Sequence, residues 1–238
     1  MTTPDLPSGY LGLWRRSVIR RSDGSSDATT AVWWFQSPRF HLDLRIPVDR
    51  PAPASPAALA ALPAEQLLRY GRQSGFAGIT VVDGARCEWR PEIAFPAVGD
   101  ELDVGFMRFD GADRLHEAGL DGSYDEDWVR LAASPMTGAR LVSTDAAGET
   151  AIAYLLIGEQ WAGWGIGRLD DRFPASHGEF SVLQKRGGRW RTLASNCPWL
   201  EQTAVFDGAE LTAQAVRSWS VGSVVTLERR SWTVSDIA

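Results

Sequence analysis

The sequence predicts a mainly β protein: two antiparallel β-barrels in tandem, with one short helix in the first. Three observations predict it. Short segments alternating apolar and polar side chains recur along the chain. Tight-turn pairs (Asp83-Gly84, Asp110-Gly111, Asp121-Gly122, Gly187-Gly188 and Asp207-Gly208) separate many of them. Only one stretch, near residues 63–73, spaces its apolar residues as a helix does. The 238 residues suffice for two small barrels, at 1–133 and 139–238, with Ser134-Pro135-Met136-Thr137-Gly138 between them. A single large β-sandwich is the alternative.

The first eight strands are expected at 10–21, 29–36, 39–46, 76–82, 86–95, 102–109, 113–118 and 123–132. Ser22-Asp23-Gly24-Ser25-Ser26-Asp27 is turn chemistry, and Val32, Trp33, Trp34 and Phe35 then read as a strand buried on both faces. Pro47 ends the third strand, and the proline-rich stretch 49–56 crosses to a short turn over 56–62. Pro63 heads the helix, with Leu67, Leu68 and Tyr70 on its apolar stripe, placed to plug one end of the barrel. The second barrel is expected from strands at 139–144, 149–157, 161–168, 178–185, 189–194, 199–206, 210–218 and 222–233. Within it, Trp161-Ala162-Gly163-Trp164-Gly165-Ile166-Gly167 is as glycine-rich as a phosphate loop but lacks the spacing and the following helix; it reads as a kinked strand packing two tryptophans. The halves show no residue-by-residue repeat.

Composition narrows the function. A net charge of −6 and a pI near 5.1 argue against nucleic acid as a partner. No apolar run reaches the roughly 18–20 residues that span a bilayer, so no membrane partner is expected. The N-terminus MTTPDLPSGY has neither a basic segment nor an apolar core, and a cytoplasmic location is expected. In that compartment Cys87 and Cys197 stay reduced, and they and the three scattered histidines offer no zinc spacing. No nucleotide, flavin or metal motif is present, so no cofactor is expected. Cys197 sits in a turn with no histidine near it in sequence, and His177 lies in an exposed Pro/Ser/Gly loop. Eleven tryptophans are far above expectation for this length; most are expected in the core, and lining a cavity is a natural use for a few.

The candidate site centres on residues 39–46, where Phe40, Leu42, Leu44 and Ile46 alternate with Arg39, His41, Asp43 and Arg45. Two assignments fit. Either the apolar set fills the barrel and the charged set meets water, or the charged set lies inside, with Asp43 between His41 and Arg45 as a hydrogen-bonded series, and the leucines pack on the helix or second barrel. A second cluster is His116-Glu117 followed by Tyr124, Glu126 and Trp128: these last three share one face of the closing strand, while Asp125 and Asp127 face solvent with Val129. A carboxyl among aromatic rings rises in pKa toward the range of a general acid or base, unless Arg16 or Arg45 pairs with it.

The function read from these residues is binding of a small apolar or aromatic organic molecule. Trp33 or Trp34, Trp128 and Tyr124 form the apolar wall, and Gln36, His41, Asp43, Arg45, Arg16 and Glu126 supply polar contacts. If the site turns over a substrate, absent cofactor motifs restrict it to proton-transfer chemistry of the lyase, hydratase, isomerase or cyclase kind. Glu126 or Asp43 then acts as base, and Arg45 or Arg16 stabilises the developing anion. The alternative is a carrier or protein-interaction module with side-chain-filled barrels; a homodimer is compatible with either.

Gly12-Leu13-Trp14 on the first strand resembles the start of lipocalin and other calycin barrels, where the tryptophan closes one end beneath an arginine of the last strand. Arg130 stands where that arginine is implied. The longer set Trp34-x-Gln36, Asp43-Leu44-Arg45-Ile46-Pro47, Gly75-Phe76-Ala77-Gly78, Cys87-Glu88-Trp89, Glu117-Ala118-Gly119 and Tyr124-Asp125-Glu126-Asp127-Trp128 resembles the HRI1-like family over residues 10–132. That resemblance implies two calycin-like barrels and no particular activity.

Overall fold

The computed structural model describes residues 6–96, 102–168, 178–206 and 211–238. The first sheet is built from β1 (Gly12–Arg21), β2 (Ser26–Asp27), β3 (Ala31–Gln36), β4 (Phe40–Ile46), β5 (Ser74–Asp83), β6 (Arg86–Phe95), β7 (Asp103–Phe109), β8 (Arg114–Gly119) and β9 (Tyr124–Ala132). Each strand pairs antiparallel with the next, and β9 returns to β1, with β2 only a short flap on β1; the result is a closed eight-stranded barrel. The β1–β9 seam carries irregularities at Leu13/Trp14 and Arg16/Val18, which let the sheet coil shut. Gly12 sits at φ +120°, where a Cβ would fall 2.3 Å from the Ala132 carbonyl oxygen, so only glycine fits at this seam.

The second sheet comprises β10 (Thr137–Thr144), β11 (Thr150–Ile157), β12 (Trp161–Arg168), β13 (Glu179–Arg186), β14 (Arg189–Ser195), β15 (Ala204–Val205), β16 (Val224–Leu227) and β17 (Arg230–Ile237), in the order β15-β14-β13-β12-β11-β10-β17-β16. It is a curled half-barrel, and among the described residues no strand pairing closes it into the second barrel expected. Its inner face holds Trp164, Trp190, Trp232 and Phe206, with Val216 of α3 (Ala213–Arg217) buried among them. Helix α3 replaces the strand expected at 210–218: the Thr212 hydroxyl accepts from the Ala215 amide at 3.1 Å, a cap that starts a helix in Ala-Gln-Ala-Val-Arg. Residues 222–233 are not one strand either. β16 turns into β17 through Glu228 and Arg229, both at positive φ, and neither residue type signals such a turn. At 199–206 a 3-10 turn, Pro198–Leu200, leaves only two residues of strand. His177 and the Asp207-Gly208 turn lie outside the described residues.

The outer face of the half-barrel covers one side of the barrel. Leu42, Phe40, Leu44 and Phe35 of the barrel meet Ile152, Leu156, Phe180 and Val182 of the second sheet. Gly163 and Gly165 permit this contact: a Cβ on Gly163 would stand 3.1 Å from the Phe35 ring, and one on Gly165 would stand 3.2 Å from Leu42. The glycine-rich stretch is a strand, as expected, and its glycines serve sheet-on-sheet packing. Polar ties flank the apolar contact. Arg140 grips Glu92 at 2.5 and 2.7 Å, and Arg50 donates to Glu201 and to the Ser195 carbonyl.

The helical region is two short helices, α1 (Pro56–Ala60) and α2 (Ala64–Tyr70), with Pro63 as the cap rather than the first turn of α2. It is fastened to the second sheet, not set into the barrel. The Tyr70 hydroxyl and the Gln73 amide both donate to the Asn196 carbonyl, while Leu67 and Leu68 are exposed. Among the described residues no helix is long and apolar enough to cross a membrane.

Candidate functional site

β4 settles the direction of the whole site. Its burial is almost continuous because both faces are covered: Phe40, Leu42 and Leu44 pack outward on the second sheet, and His41, Asp43 and Arg45 point into the barrel. The charged set is therefore inside, with one exception. Arg39 precedes the strand and turns out to pair with Asp236 and the Ile237 carbonyl, both at 2.7 Å. The same alternation splits the two tryptophans of β3. Trp34 is interior, whereas Trp33 is exterior, under the Arg15 guanidinium at 4.2 Å, and takes no part in the site.

One end of the barrel is closed. The Trp14 indole donates to the Tyr10 carbonyl at 2.8 Å, and the Arg130 guanidinium covers its ring at 4.3 Å while donating to the Gly9 and Leu11 carbonyls. Above it sits a structural network. The Gln36 amide oxygen accepts from Trp34 Nε1 and Thr80 Oγ1, which commits the Thr80 proton. His41 Nδ1, 3.1 Å from Thr80 Oγ1, must then be the protonated ring nitrogen, and Nε2 is left as a bare lone pair with no partner among the described residues. Burial pushes the His41 pKa down to about 3, so the ring stays neutral. Gln36 and His41 hold this end together rather than line the cavity.

The ionisable groups gather toward the other end. Arg45 Nε donates to Asp43 at 2.8 Å, and Arg16 donates to Glu126 at 2.6 Å with Asp27 at 3.8 Å. Glu126 thus has the arginine partner that competes with a general-base role. Its register partner across β8–β9 is Glu117, which accepts from the Tyr124 hydroxyl at 2.9 Å and from Trp128 Nε1 at 3.1 Å. No guanidinium among the described residues hydrogen-bonds to Glu117, although Arg45 lines the same space. Burial, followed by the facing Glu126 charge, lifts its pKa to about 8. Burial lifts Asp43 to about 6 against the pull of Arg45, and Tyr124 is raised by burial and by Glu117. Asp103 shares this field: burial raises it and Arg45 lowers it.

No protein-family model, curated protein or solved structure matches the chain.

Trp34, Trp89, Trp128 and Phe76 wall the space that Asp43, Arg45 and Glu117 share. Trp34 meets Trp89 and Trp128 edge-to-face at 5.6 and 5.8 Å, and the Arg45 guanidinium lies 5.2 Å from the Phe76 ring centre. Only about 10 Å³ is open with every side chain in place, room for one water. Of the expected site residues, Trp34, Asp43, Arg45 and Trp128 line this space, Tyr124, Arg16 and Glu126 support it, and Asp125 and Asp127 are outside on Arg20. Sequence reasoning left Trp89 and Phe76 out of the site, and named Glu117 in the second cluster without giving it a role. The signal was present at two of them, since Leu115 and Glu117 alternate with His116, and Cys87 and Trp89 alternate with Arg86, Glu88 and Arg90. Among the described residues no group of three or more His, Cys, Asp or Glu side chains is arranged to hold a metal ion.

Proposed function

We propose that the open end of the barrel binds a small apolar or aromatic organic molecule, and that Glu117 and Asp43 are its acid–base pair. One observation carries this reading: two buried carboxyls with pKa values raised to about 8 and about 6 share a tryptophan-walled space. At neutral pH the first is mostly protonated and the second mostly ionised, which is how an acid and a base divide their roles. If a bound substrate reacts, Asp43 removes a proton and Glu117 delivers one, in an elimination, hydration, isomerisation or cyclisation. Burial, and then Glu126 facing it across β8–β9, raises the pKa of Glu117.

The nearly filled interior favours a second reading, a side-chain-filled barrel acting as a carrier or interaction module. Tryptophan fluorescence against a panel of aromatic and apolar metabolites separates the two. Saturable quenching that Trp128→Phe and Asp43→Asn weaken, and that Trp33→Phe leaves alone, supports the binding site; no response across the panel favours the interaction module. The free thiols of Cys87 and Cys197 support the cytoplasmic location we propose. The arginine seated over Trp14 supports the HRI1-like resemblance, which we retain as a proposal.

A further inference from the structure

We infer that the ligand is an organic cation, an ammonium carried on an aromatic or short alkyl group, and that it takes the seat Arg45 occupies in this structure; the inference rests on the binding reading above. Three features of the walls point to it. The alternation of β7 places Asp103 on the same inward face as Met107, so four carboxyls (Asp43, Asp103, Glu117 and Glu126) face two guanidinia. Arg16 is committed to Glu126 and Asp27, which leaves Arg45 as the cation facing the remaining acids. The other walls are tryptophan and phenylalanine rings, the surfaces that recognise ammonium groups through their negative faces.

The resident guanidinium already shows what the seat prefers: it rests on Phe76 and pairs with Asp43. A third of its side chain reaches solvent, so it can swing outward. Replacing one cation by another keeps Asp43 compensated, whereas an anion entering here would meet three carboxyls. With Arg45 in place only about 10 Å³ is open, so its departure is what makes room. This reverses the role expected of Arg45, from anchor of a developing anion to holder of the ligand's place.

The test compares benzylamine, benzyl alcohol and benzoate on the full chain at pH 7, by tryptophan fluorescence and titration calorimetry. Benzylamine should bind about tenfold or more tightly than the alcohol, a ratio within the range of a desolvated cation–π and ion-pair seat. Benzoate should bind more weakly still. Arg45→Ala should tighten benzylamine binding, and Asp43→Asn should weaken it. Arg45→Gln provides the same comparison if the alanine variant does not fold, and the wild-type ranking stands without either. Equal or tighter binding of the alcohol or benzoate overturns the inference while leaving a binding site. Weaker benzylamine binding on removal of Arg45 also overturns it. A protein that responds to none of the three, in wild type or variant, overturns both this inference and the binding reading for ligands of this size.

Discussion

Replacing Glu117 by glutamine should make the protein more stable at alkaline pH and leave it nearly unchanged at pH 5. Glu117 is 4% exposed, and its only polar partners among the described residues are Tyr124 and Trp128, both neutral donors. Its pKa is raised from 4.5 to about 8 by burial and then by Glu126. Between those values the folded state holds a proton that the unfolded chain has lost, so stability falls as pH rises through the window. At roughly 1.4 kcal/mol per pH unit the interval sets an upper bound of about 5 kcal/mol on the loss. Glutamine is neutral throughout. Its oxygen accepts from Trp128, and its amide donates to the Tyr124 oxygen, reversing one hydrogen bond without breaking it. Urea unfolding of both proteins at pH 5, 7 and 9 reads the effect. Recovery of half the bound, roughly 2–3 kcal/mol, moves the midpoint by about 1 M. Midpoints that fall in parallel with pH, or a variant equally destabilised at all three values, would refute the reasoning, because Glu117 would then be acting as an ionised acceptor.

Three further outcomes test the frame around the site. Arg130→Ala removes the cover over Trp14 and three donations to backbone carbonyls (Gly9, Leu11 and Ala112); it should cost about 3 kcal/mol, read as a fall in melting temperature of roughly 6–12 °C. Gly163→Val pushes branched carbon into Phe35 and Leu42 and should cost about 1–3 kcal/mol; an unchanged melting temperature would show that the sheets do not meet there. Arg229→Gly relieves a residue held at φ 60° and should stabilise the β16–β17 hairpin by roughly 0.5–1 kcal/mol in the same assay.

The barrel was legible because its strands obey a period of two and its turns carry Asp-Gly at four of the places where the chain reverses. Where the signal is carried by other residues, the reading failed. Glu228-Arg229 makes a left-handed turn without Asn or Gly, and Thr212 caps a helix too short for its periodicity to register. The site shows the same division more sharply. Residues 39–46 announce a charged face and an apolar face, but which one is inside depends on a second sheet far along the chain. Once that sheet covers Leu42 and Leu44, the charged face of β4 is left inside, among the interior aromatic rings. Apolar side chains of similar volume in place of the whole set, Arg16 and Arg45 included, would make an interior at least as stable, since the desolvation of a buried ion pair often costs as much as the pair returns. The interior instead gives Glu117 only neutral hydrogen-bond donors among the described residues and gives Arg16 to its neighbour Glu126, an arrangement that serves proton transfer or ligand charge better than it serves stability.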